Sequence, residues 1–379
     1  MLFITISLCA FICSFLYYYK PRIDNYYLLF YYNLIYAPEA MKDIFYSIIY
    51  ARNNKTALLP MPGKIAIVTG GSRGIGSEVV KMLLQCEIEV IIACRTPSAG
   101  EKLISKIRES GITTGKAKVY KLDNNSLASV KEFADQIKNN YNKIHILINN
   151  AGIMFSPQKE TTDGFDQQWS TNYLSHFYLT VLLLPLLKAG SRPKQNSRIV
   201  NVSSCAQRIG SMNFDDINFK YDTLQFNKLT IIDKDYLVNN TIELIRKNFN
   251  TYLLYAQTKL AQVISTKHLQ NLLEKKQLGI QVYAVHPGLV DTNLFQYSNL
   301  KKFRWFYKYI VKTPEQGAMS IVYAATNDEI EEHGGIYISN CKEDKNVHPA
   351  VYAKSIQEKL LRISLDQVQL KDIFQYVDT

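Results

Sequence analysis

Residues 64–76 read KIAIVTGGSRGIG, a short β-branched run that ends in glycines and is followed by a helical pattern to about Gln85. In such a strand–turn–helix unit, Gly70 and Gly74 allow a backbone to approach a phosphate, and Gly76 allows close packing of helix on strand. The N-terminus of the helix would then face a pyrophosphate. This context favours a phosphate-binding turn over a glycine turn without a ligand. The candidate contacts are Gly70, Ser72, Arg73, Gly74, Ile75 and Gly76.

The alternation of strand and helix patterns continues along the chain. Helical patterns end at about Ser110 and about Asn140, and a long one runs from about Asp163 to Lys188. Near-continuous apolar strands that alternate with helices predict a mostly parallel sheet with helices on both faces, the doubly wound α/β (Rossmann) class. The further strands are predicted at 89–95, 116–122, 144–149, 197–204, 279–288 and 334–339.

The Rossmann domain is predicted to span residues 62–345, with one irregular part. Within it, residues 206–250 are an atypical insertion without a clear strand pattern, in which IELIRKNF (242–249) could form a short helix. Residues 346–379 are predicted to be a peripheral C-terminal tail that contains a helix. The chain length allows a single sizeable core for this domain.

The first nineteen residues, MLFITISLCAFICSFLYYY, carry no charge and are long enough to cross a bilayer as a helix. No basic n-region and no clear cleavage site accompany them, which favours a transmembrane anchor over 1–20 and makes a cleaved signal peptide the alternative. Lys20 and Arg22 follow the span, so the positive-inside rule predicts a cytosolic globular domain. Residues 21–61, rich in Tyr and Phe, are predicted to be an interfacial segment, with a two-span hairpin as the alternative.

Charge and cysteine content exclude several classes of function. Lys and Arg outnumber Asp and Glu by 44 to 33, but no basic block has interleaved stacking aromatics, so no nucleic-acid partner is expected. The basic excess fits an anionic cofactor or an anionic membrane face. The six cysteines form no CxxC pair and no HExxH motif occurs, so no metal site or disulfide framework is expected.

The residue after the second strand predicts which dinucleotide is preferred. An acidic side chain is usual there when the cofactor is NAD, whereas this chain has Arg95, and Arg73 in the glycine turn is a second cation. Guanidinium groups suit a ribose 2′-phosphate, so NADP(H) is predicted and NAD(H) is the alternative. Asp123, after the third strand, could meet the adenine ring or cap the next helix.

Five motifs in this order resemble the short-chain dehydrogenase/reductase family: TGGSRGIG (69–76), NNAG (149–152), NVSS (201–204), YAQTK (255–259) and HPGLVDT (286–292). The likeness covers about residues 62–345. ACR after the second strand, INNAGIM and TTDGFDQQWSTNYLSHFYLT are similar to the membrane-associated, retinol-dehydrogenase-like branch. With KTPEQGA (312–318), the enzymes of this branch that act on polyprenol and dolichal are the most similar.

The resemblance implies roles for matching residues. Tyr255 resembles the acid/base that exchanges a proton with the substrate oxygen as hydride moves, and Lys259 the residue that binds the nicotinamide ribose and lowers the tyrosine pKa. Ser204 resembles the hydrogen-bonding partner of the reacting oxygen, and Asn172 the residue that holds a water in the proton relay. The remaining residues expected beside the cofactor are Asn149, Ala151, Gly152, His286, Pro287, Gly288 and Thr292.

The residue chemistry agrees with these implied roles. Residues i and i+4 share one helix face, so Tyr255 and Lys259 should point the same way. A free tyrosine has a pKa near 10, and a nearby ammonium would lower that pKa toward the value that proton exchange needs. Ser204 and Tyr255 lie 255 − 204 = 51 positions apart, which is more than the family has. The insertion that separates them either covers the substrate mouth or derives from a retained intron.

The segment after HPGLVDT predicts the substrate class. Leu294, Phe295 and Tyr297 are followed by KKFRWFYKYIVK (301–312), whose mixed cations and aromatics suit a helix at a headgroup surface, with a core-packing helix as the alternative. A hydrophobic alcohol or aldehyde taken from the bilayer is therefore expected, polyprenoid-like by resemblance. Retinoid or steroid substrates are the alternative, and a catalytically silent, cofactor-binding scaffold is a further one. The expected location is the endoplasmic reticulum membrane, with the catalytic domain on its cytosolic side.

Overall fold

A computed structural model of the chain describes residues 56–219, 236–292, 294 and 311–377, and for 236–250 it describes only the course of the helix. The expected anchor at 1–20, nearly all of the segment 21–61, and the aromatic residues of KKFRWFYKYIVK lie outside the described residues, as do Phe295 and Tyr297.

The core of the molecule is an eight-stranded sheet with the strand order β3-β2-β1-β4-β5-β6-β7-β8. All neighbouring strands are parallel except β7 and β8. The order reverses between β1 and β4, which is where open α/β sheets bind their ligands. The strands are β1 Ile65–Thr69, β2 Glu89–Cys94, β3 Ala117–Lys121, β4 Ile146–Asn149, β5 Ser197–Val202, β6 Ile280–His286, β7 Ile336–Ser339 and β8 Lys342–Glu343.

Helices cover both faces of this sheet. Alternate strand residues point to opposite faces, so Ile67 packs in one buried apolar cluster and Val68 in the other. The helices are α1 Ile75–Gln85, α2 Pro97–Glu109, α3 Leu127–Asn140, α4 Gln167–Gly190, α5 Tyr236–Lys275, α6 Pro314–Thr326 and α7 Lys354–Gln367. Helices α3, α4, α5 and α7 contribute to the first cluster, and α1, α2 and α6 to the second. The predicted doubly wound α/β class is confirmed.

Helix α4 is a core helix with an irregular first part. Within the described ranges it is the one helix long and apolar enough to cross a membrane, but 83% of its apolar window is buried inside the protein. Its residues Ser170–Leu174 form a π-helical turn, a feature that is frequent at functional sites.

Helix α5 differs from the expectation for the insertion. A short helix at 242–249 was predicted to be separate from the YAQTK helix, whereas the structure has one helix over Tyr236–Lys275. The 3-10 helix Cys205–Ile209 follows β5, and residues 220–235 lie outside the described part of the chain. Hydrophobic periodicity alone does not predict one continuous helix here. The apolar pattern is interrupted by three poor helix formers, Asn239, Asn240 and Thr241.

Candidate active site

The glycine turn, residues 69–76, joins β1 to α1 at the switch point of the sheet. Gly70 has a φ of +64°, and a Cβ there would lie 2.9 Å from the Cα atom of Ala151. A Cβ on Gly76 would collide with the carbonyl oxygen of Gly70. The turn therefore has no side chains at these two positions in front of the helix N-terminus. This arrangement fits the pyrophosphate of a dinucleotide.

Thr69 joins the glycine turn to the NNAG loop. Its hydroxyl oxygen accepts hydrogen bonds from the backbone N–H groups of Asn150 (2.9 Å) and Ala151 (3.0 Å). The side-chain amide of Asn150 donates to the carbonyl oxygen of Thr69 at 2.8 Å. Neither Thr69 nor Asn150 was in the predicted set, although both lie inside the motifs. The predicted Asn149 instead donates to Asn201 (2.8 Å) and Thr180 (3.1 Å) in the interior.

His176 is a buried residue that the sequence did not indicate, and its contacts define its tautomer. Its Nδ1 lies 3.1 Å from the carbonyl oxygen of Asn172, which can only accept, so Nδ1 carries the hydrogen. Nε2 therefore accepts from the hydroxyl of Thr69 (2.9 Å) and the amide of Asn124 (3.1 Å). Burial lowers the pKa of His176 to about 4, so the ring is neutral. It connects the glycine turn with the π-helical turn.

The predicted selectivity residues lie at the outer rim of the glycine turn. Arg73 and Arg95 are both exposed, and Arg95 directly follows β2. Ser72 contacts the thiol of Cys94 at the end of the same strand. Asp123 accepts from the backbone N–H of Asn125 at 3.0 Å, while Ser126 is the residue that caps α3. Asp123 thus shapes the turn before that helix.

Helix α5 places Tyr255 and Lys259 on one face, as predicted. The ammonium nitrogen of Lys259 lies 5.7 Å from the centre of the Tyr255 ring. Ser204, two residues after β5, lies beside the Tyr255 phenol and lowers its pKa, and its hydroxyl oxygen accepts from the backbone N–H of Ala206 at 3.2 Å. The long separation of Ser204 and Tyr255 in sequence is thus closed in space.

Burial determines which charge state each member of this pair prefers. It raises the pKa of Tyr255, and Ser204 offsets only part of that rise. It lowers the pKa of Lys259 to about 7. The predicted lowering of the tyrosine pKa by Lys259 is not present here, because the low-polarity surroundings disfavour the charged form of both residues.

Asn172 lies in the π-helical turn and binds the loop that follows NNAG. Its side-chain oxygen accepts from the backbone N–H of Ile153 at 2.9 Å, and its nitrogen donates to the Ile153 carbonyl at 3.0 Å. The same nitrogen also donates to the hydroxyl of Thr258 at 3.1 Å. A Cβ on Gly152 would lie 3.4 Å from the Asn172 side-chain oxygen and 3.9 Å from Lys259 Nζ. Asn172, Gly152 and Lys259 are therefore brought together.

The loop after β6 closes the other side of the site. Gly288 has a φ of +93° and packs against the end of the buried Lys312 side chain, which donates to the carbonyl oxygen of Pro287 at 3.3 Å. The methyl group of Thr292 would lie 3.5 Å from a Cβ on Gly74. The predicted segment therefore meets the glycine turn, and Lys312, the first residue of KTPEQGA, is a support that was not among the predicted site residues.

The tyrosine side chain lies in an apolar cluster. Tyr255 is only 4% exposed. The ring of Phe155 lies 5.3 Å from that of Tyr255 and 4.0 Å from that of Tyr252. The other members that pack there are Met154, Ala206, Leu289, Leu294 and Val311. The described residues contain no group of three or more His, Cys, Asp or Glu side chains placed to hold a metal ion.

Comparisons with known proteins agree on one family. The sequence model described as short chain dehydrogenase matches residues 64–215. Human polyprenol dehydrogenase is 33% identical over 83% of this chain and 88% of its own length. The zebrafish (Danio rerio) polyprenol dehydrogenase is 35% identical over 86% of this chain and 94% of its own. Human retinol dehydrogenase 11 is 35% identical over 76% of this chain and 80% of its own.

Solved structures share the fold. An uncharacterised protein from Mycobacterium paratuberculosis superposes with a TM-score of 0.62 at 26% identity, covering 83% of this chain and 98% of that one. A Pseudomonas aeruginosa structure described as an RhlG/NADP active-site complex has a TM-score of 0.53 at 21% identity, over 74% and 95% of the two chains. The second likeness supports the fold alone.

Proposed function

Because this chain belongs to the short-chain dehydrogenase/reductase family and is an NAD(P)-dependent oxidoreductase of alcohols, we propose that it interconverts a hydrophobic alcohol and its aldehyde or ketone at a membrane. The observation that carries the proposal is that Lys259, with its nitrogen 5.7 Å from the ring centre, and Ser204 both lie beside Tyr255 within an apolar cluster. In this cluster, polar groups that can transfer a proton are surrounded by apolar side chains, which favour an apolar substrate.

The residues around the cluster fit a dinucleotide. The glycine turn would hold the pyrophosphate, Lys259 and the Pro287–Thr292 loop would lie beside the nicotinamide end, and Arg73 and Arg95 would meet a 2′-phosphate. The bound nicotinamide would accept or supply the hydride. The two exposed arginines, with no acid after β2, favour NADP(H) over NAD(H).

Tyr255 is placed to move the proton. In the direction of reduction its hydroxyl would give a proton to the substrate oxygen, and its raised pKa means that the proton is present at neutral pH. The hydroxyl of Ser204 would hydrogen bond to the same oxygen and orient it. Lys259, when protonated, would stabilise the phenolate that remains, since opposite charges in a buried site attract strongly.

The substrate is a polyprenoid aldehyde or alcohol in this proposal, and a retinoid is the second candidate. Relatives named polyprenol dehydrogenase and a relative named retinol dehydrogenase have nearly the same sequence identity to this chain, 33–35%. The apolar cluster around Tyr255 suits either class. An anchor at residues 1–20 in the endoplasmic reticulum, with the domain in the cytosol, would bring the site to substrates dissolved in the bilayer.

The test is a parallel assay on membranes that contain the full chain. NADPH oxidation is measured with dolichal, retinal and a steroid ketone, and Tyr255→Phe serves as the matched control because it removes one oxygen atom. We expect oxidation with dolichal that exceeds oxidation with the other two and is lost in Tyr255→Phe. Retinal as the best substrate would support the second candidate. Equal turnover by Tyr255→Phe would refute the proposed chemistry.

A further inference from the structure

Gln262 lies one turn after Lys259 on α5 and contacts two parts of the site. Its side-chain oxygen lies 3.2 Å from the ammonium nitrogen of Lys259. Its side-chain nitrogen donates to the backbone carbonyl oxygen of Asn172 at 2.7 Å. Gln262 is 3% exposed, so water does not compete for these contacts. One side chain thus links the lysine on α5 to the π-helical turn of α4.

The chemistry of the partners determines the orientation of this amide. An ammonium group can only donate hydrogen bonds and a carbonyl oxygen can only accept them. The oxygen of Gln262 must therefore face Lys259 and its nitrogen must face Asn172, because the reverse orientation would oppose like groups at both ends. Val202 supplies the second acceptor for Lys259, with its carbonyl oxygen at 2.7 Å.

The carbonyl oxygen of Val202 and the side-chain oxygen of Gln262 are the main groups that stabilise the Lys259 ammonium. The titratable groups that face it are Tyr255 on the same helix and His176 on α4, and Cys205 faces Tyr255 from the 3-10 helix. In residues 56–219, 251–292 and 311–377, no carboxylate forms an ion pair with Lys259. A buried ammonium without a counter-ion depends on its hydrogen-bond acceptors, so loss of either one is costly.

We propose that Gln262 is a positioning residue that holds the Lys259 ammonium beside Tyr255 and determines how readily it is protonated. The inference rests on the proposed function, in which Lys259 acts in its charged form. It also assigns to a side-chain amide the link between Lys259 and the Asn172 turn. No pattern of the motif predicts this link, since Gln262 lies three residues beyond YAQTK.

The test changes the charge and the polarity of residue 262 and follows NADPH binding, which does not require turnover. NADPH fluorescence gives its dissociation constant between pH 6 and pH 10 for the full chain in detergent, for Gln262→Glu and for Gln262→Met. Gln257→Met is the matched control, since Gln257 is a fully buried glutamine of α5 that bonds the backbone of Asn213 and Ile217 instead.

The wild-type chain should lose affinity for NADPH as the pH rises through the pKa of Lys259, which burial lowers to about 7, because the anionic cofactor favours the ammonium. A carboxylate within about 4 Å stabilises an ammonium by about 1–3 pKa units, so Gln262→Glu should move this loss to higher pH by that amount. Gln262→Met should move it to lower pH, and Gln257→Met should leave it unchanged.

The outcomes separate this inference from the proposed function. Profiles of Gln262→Glu and Gln262→Met that superimpose on the wild-type profile would overturn the role of Gln262, even if Tyr255→Phe is inactive. If Gln257→Met shifted the pH profile as far as Gln262→Met does, the role of Gln262 would be overturned as well. The shift would then be a general consequence of damage to the core. Turnover by Tyr255→Phe would instead refute the proposed chemistry and leave the binding profiles interpretable.

Discussion

Tyr255 and Lys259 lie where water is scarce, and this affects the charge of each residue. Burial favours the phenol and the amine, because it raises the pKa of Tyr255 and lowers the pKa of Lys259 to about 7. Below about pH 7 the ammonium of Lys259 therefore stands beside a neutral phenol. Ser204 lowers the pKa of Tyr255 in part, and Gln262 accepts a hydrogen bond from Lys259 at 3.2 Å.

A substitution of Arg95 tests the predicted preference for NADP(H) at a single residue. Arg95→Ala should raise the KM for NADPH about tenfold or more, because a charge-assisted hydrogen bond contributes about 1.5–3 kcal/mol, and it should leave the KM for NADH unchanged. Steady-state kinetics with both cofactors check this, and the NADH series is the internal control. A preference for NADH that Arg95→Ala does not alter would contradict NADP(H) selectivity.

At the scale of elements, the site depends on two turns that are bound to each other. The glycine turn follows β1, and the π-helical turn interrupts α4 at Ser170–Leu174. His176 connects them, since it lies 2.9 Å from the hydroxyl of Thr69 and 3.1 Å from the carbonyl oxygen of Asn172. A π-helical turn bulges one residue out of the α-helical register, which aims the side chain of Asn172 at the loop after NNAG.

Gly76 is predicted to be intolerant of a side chain because of this close packing. In Gly76→Ala the new Cβ would meet the Gly70 carbonyl oxygen and the Asn150 side-chain nitrogen, and displacing that backbone should weaken NADPH binding about tenfold or more. Gly71→Ala is the control in the same turn, since its Cβ would lie no closer than 3.1 Å to the methyl groups of Val80 and Ile92 and to the carbonyl oxygen of Val68, whereas the contacts at Gly76 are closer. Equal NADPH affinity of the two variants, measured by fluorescence, would contradict the prediction.

At the scale of the whole molecule, the C-terminal region is bound to the 3-10 helix after Ser204 and to helix α4 just before its π-helical turn. Arg208 of the 3-10 helix after Ser204 forms a 2.7 Å ion pair with Asp344 and donates to the carbonyl oxygen of Asn346 at 2.9 Å. Trp169, directly before the π-helical turn, donates to Gln367 of α7 at 2.9 Å. The tail that the sequence predicted as peripheral therefore contributes contacts next to the site.

A substitution of Gln367 tests whether the contact between the C-terminal tail and Trp169 stabilises the protein. Gln367→Leu would leave the indole N–H of the fully buried Trp169 without its partner, which should lower the free energy of unfolding by about 1–3 kcal/mol. Denaturant unfolding checks this, with the exposed Arg362→Ala on the same helix as the control, which should change it by less than about 0.5 kcal/mol. A variant Gln367→Leu as stable as Arg362→Ala would show that the tail contact is dispensable.

His176 makes the stability of the molecule depend on pH. Its pKa is about 4 in the folded protein and about 6.5 when unfolded, so between these values the unfolded state binds more protons and stability falls as the pH falls. The full effect is on the order of 3 kcal/mol at about 1.4 kcal/mol per pKa unit. The Asp166 carboxyl, whose pKa burial raises to about 6, acts in the opposite direction.

The difference between wild type and His176→Gln isolates the histidine. A glutamine side chain cannot be protonated in this range, so the free energy of unfolding of His176→Gln should fall less than that of the wild type between pH 6.5 and pH 4. Denaturant unfolding at several pH values measures both slopes. Parallel slopes would mean that His176 takes up its proton over the same pH range in the folded and the unfolded protein, which contradicts the lowered pKa of the buried ring.

Local patterns were enough to predict the strand–turn–helix units, the parallel sheet and the face shared by Tyr255 and Lys259, because each depends on residues close together in sequence. They were not enough for contacts between distant elements. Gln262 and Asn172 are 90 residues apart, and Thr69 and His176 are 107 apart. Only the packing of α4 against α5 and the sheet brings these groups together and removes water from them. The sequence by itself therefore determined the family and predicted its reacting residues, whereas the tertiary structure decided how strongly burial disfavours their charged forms and which groups support them, since burial is a property of the packed chain.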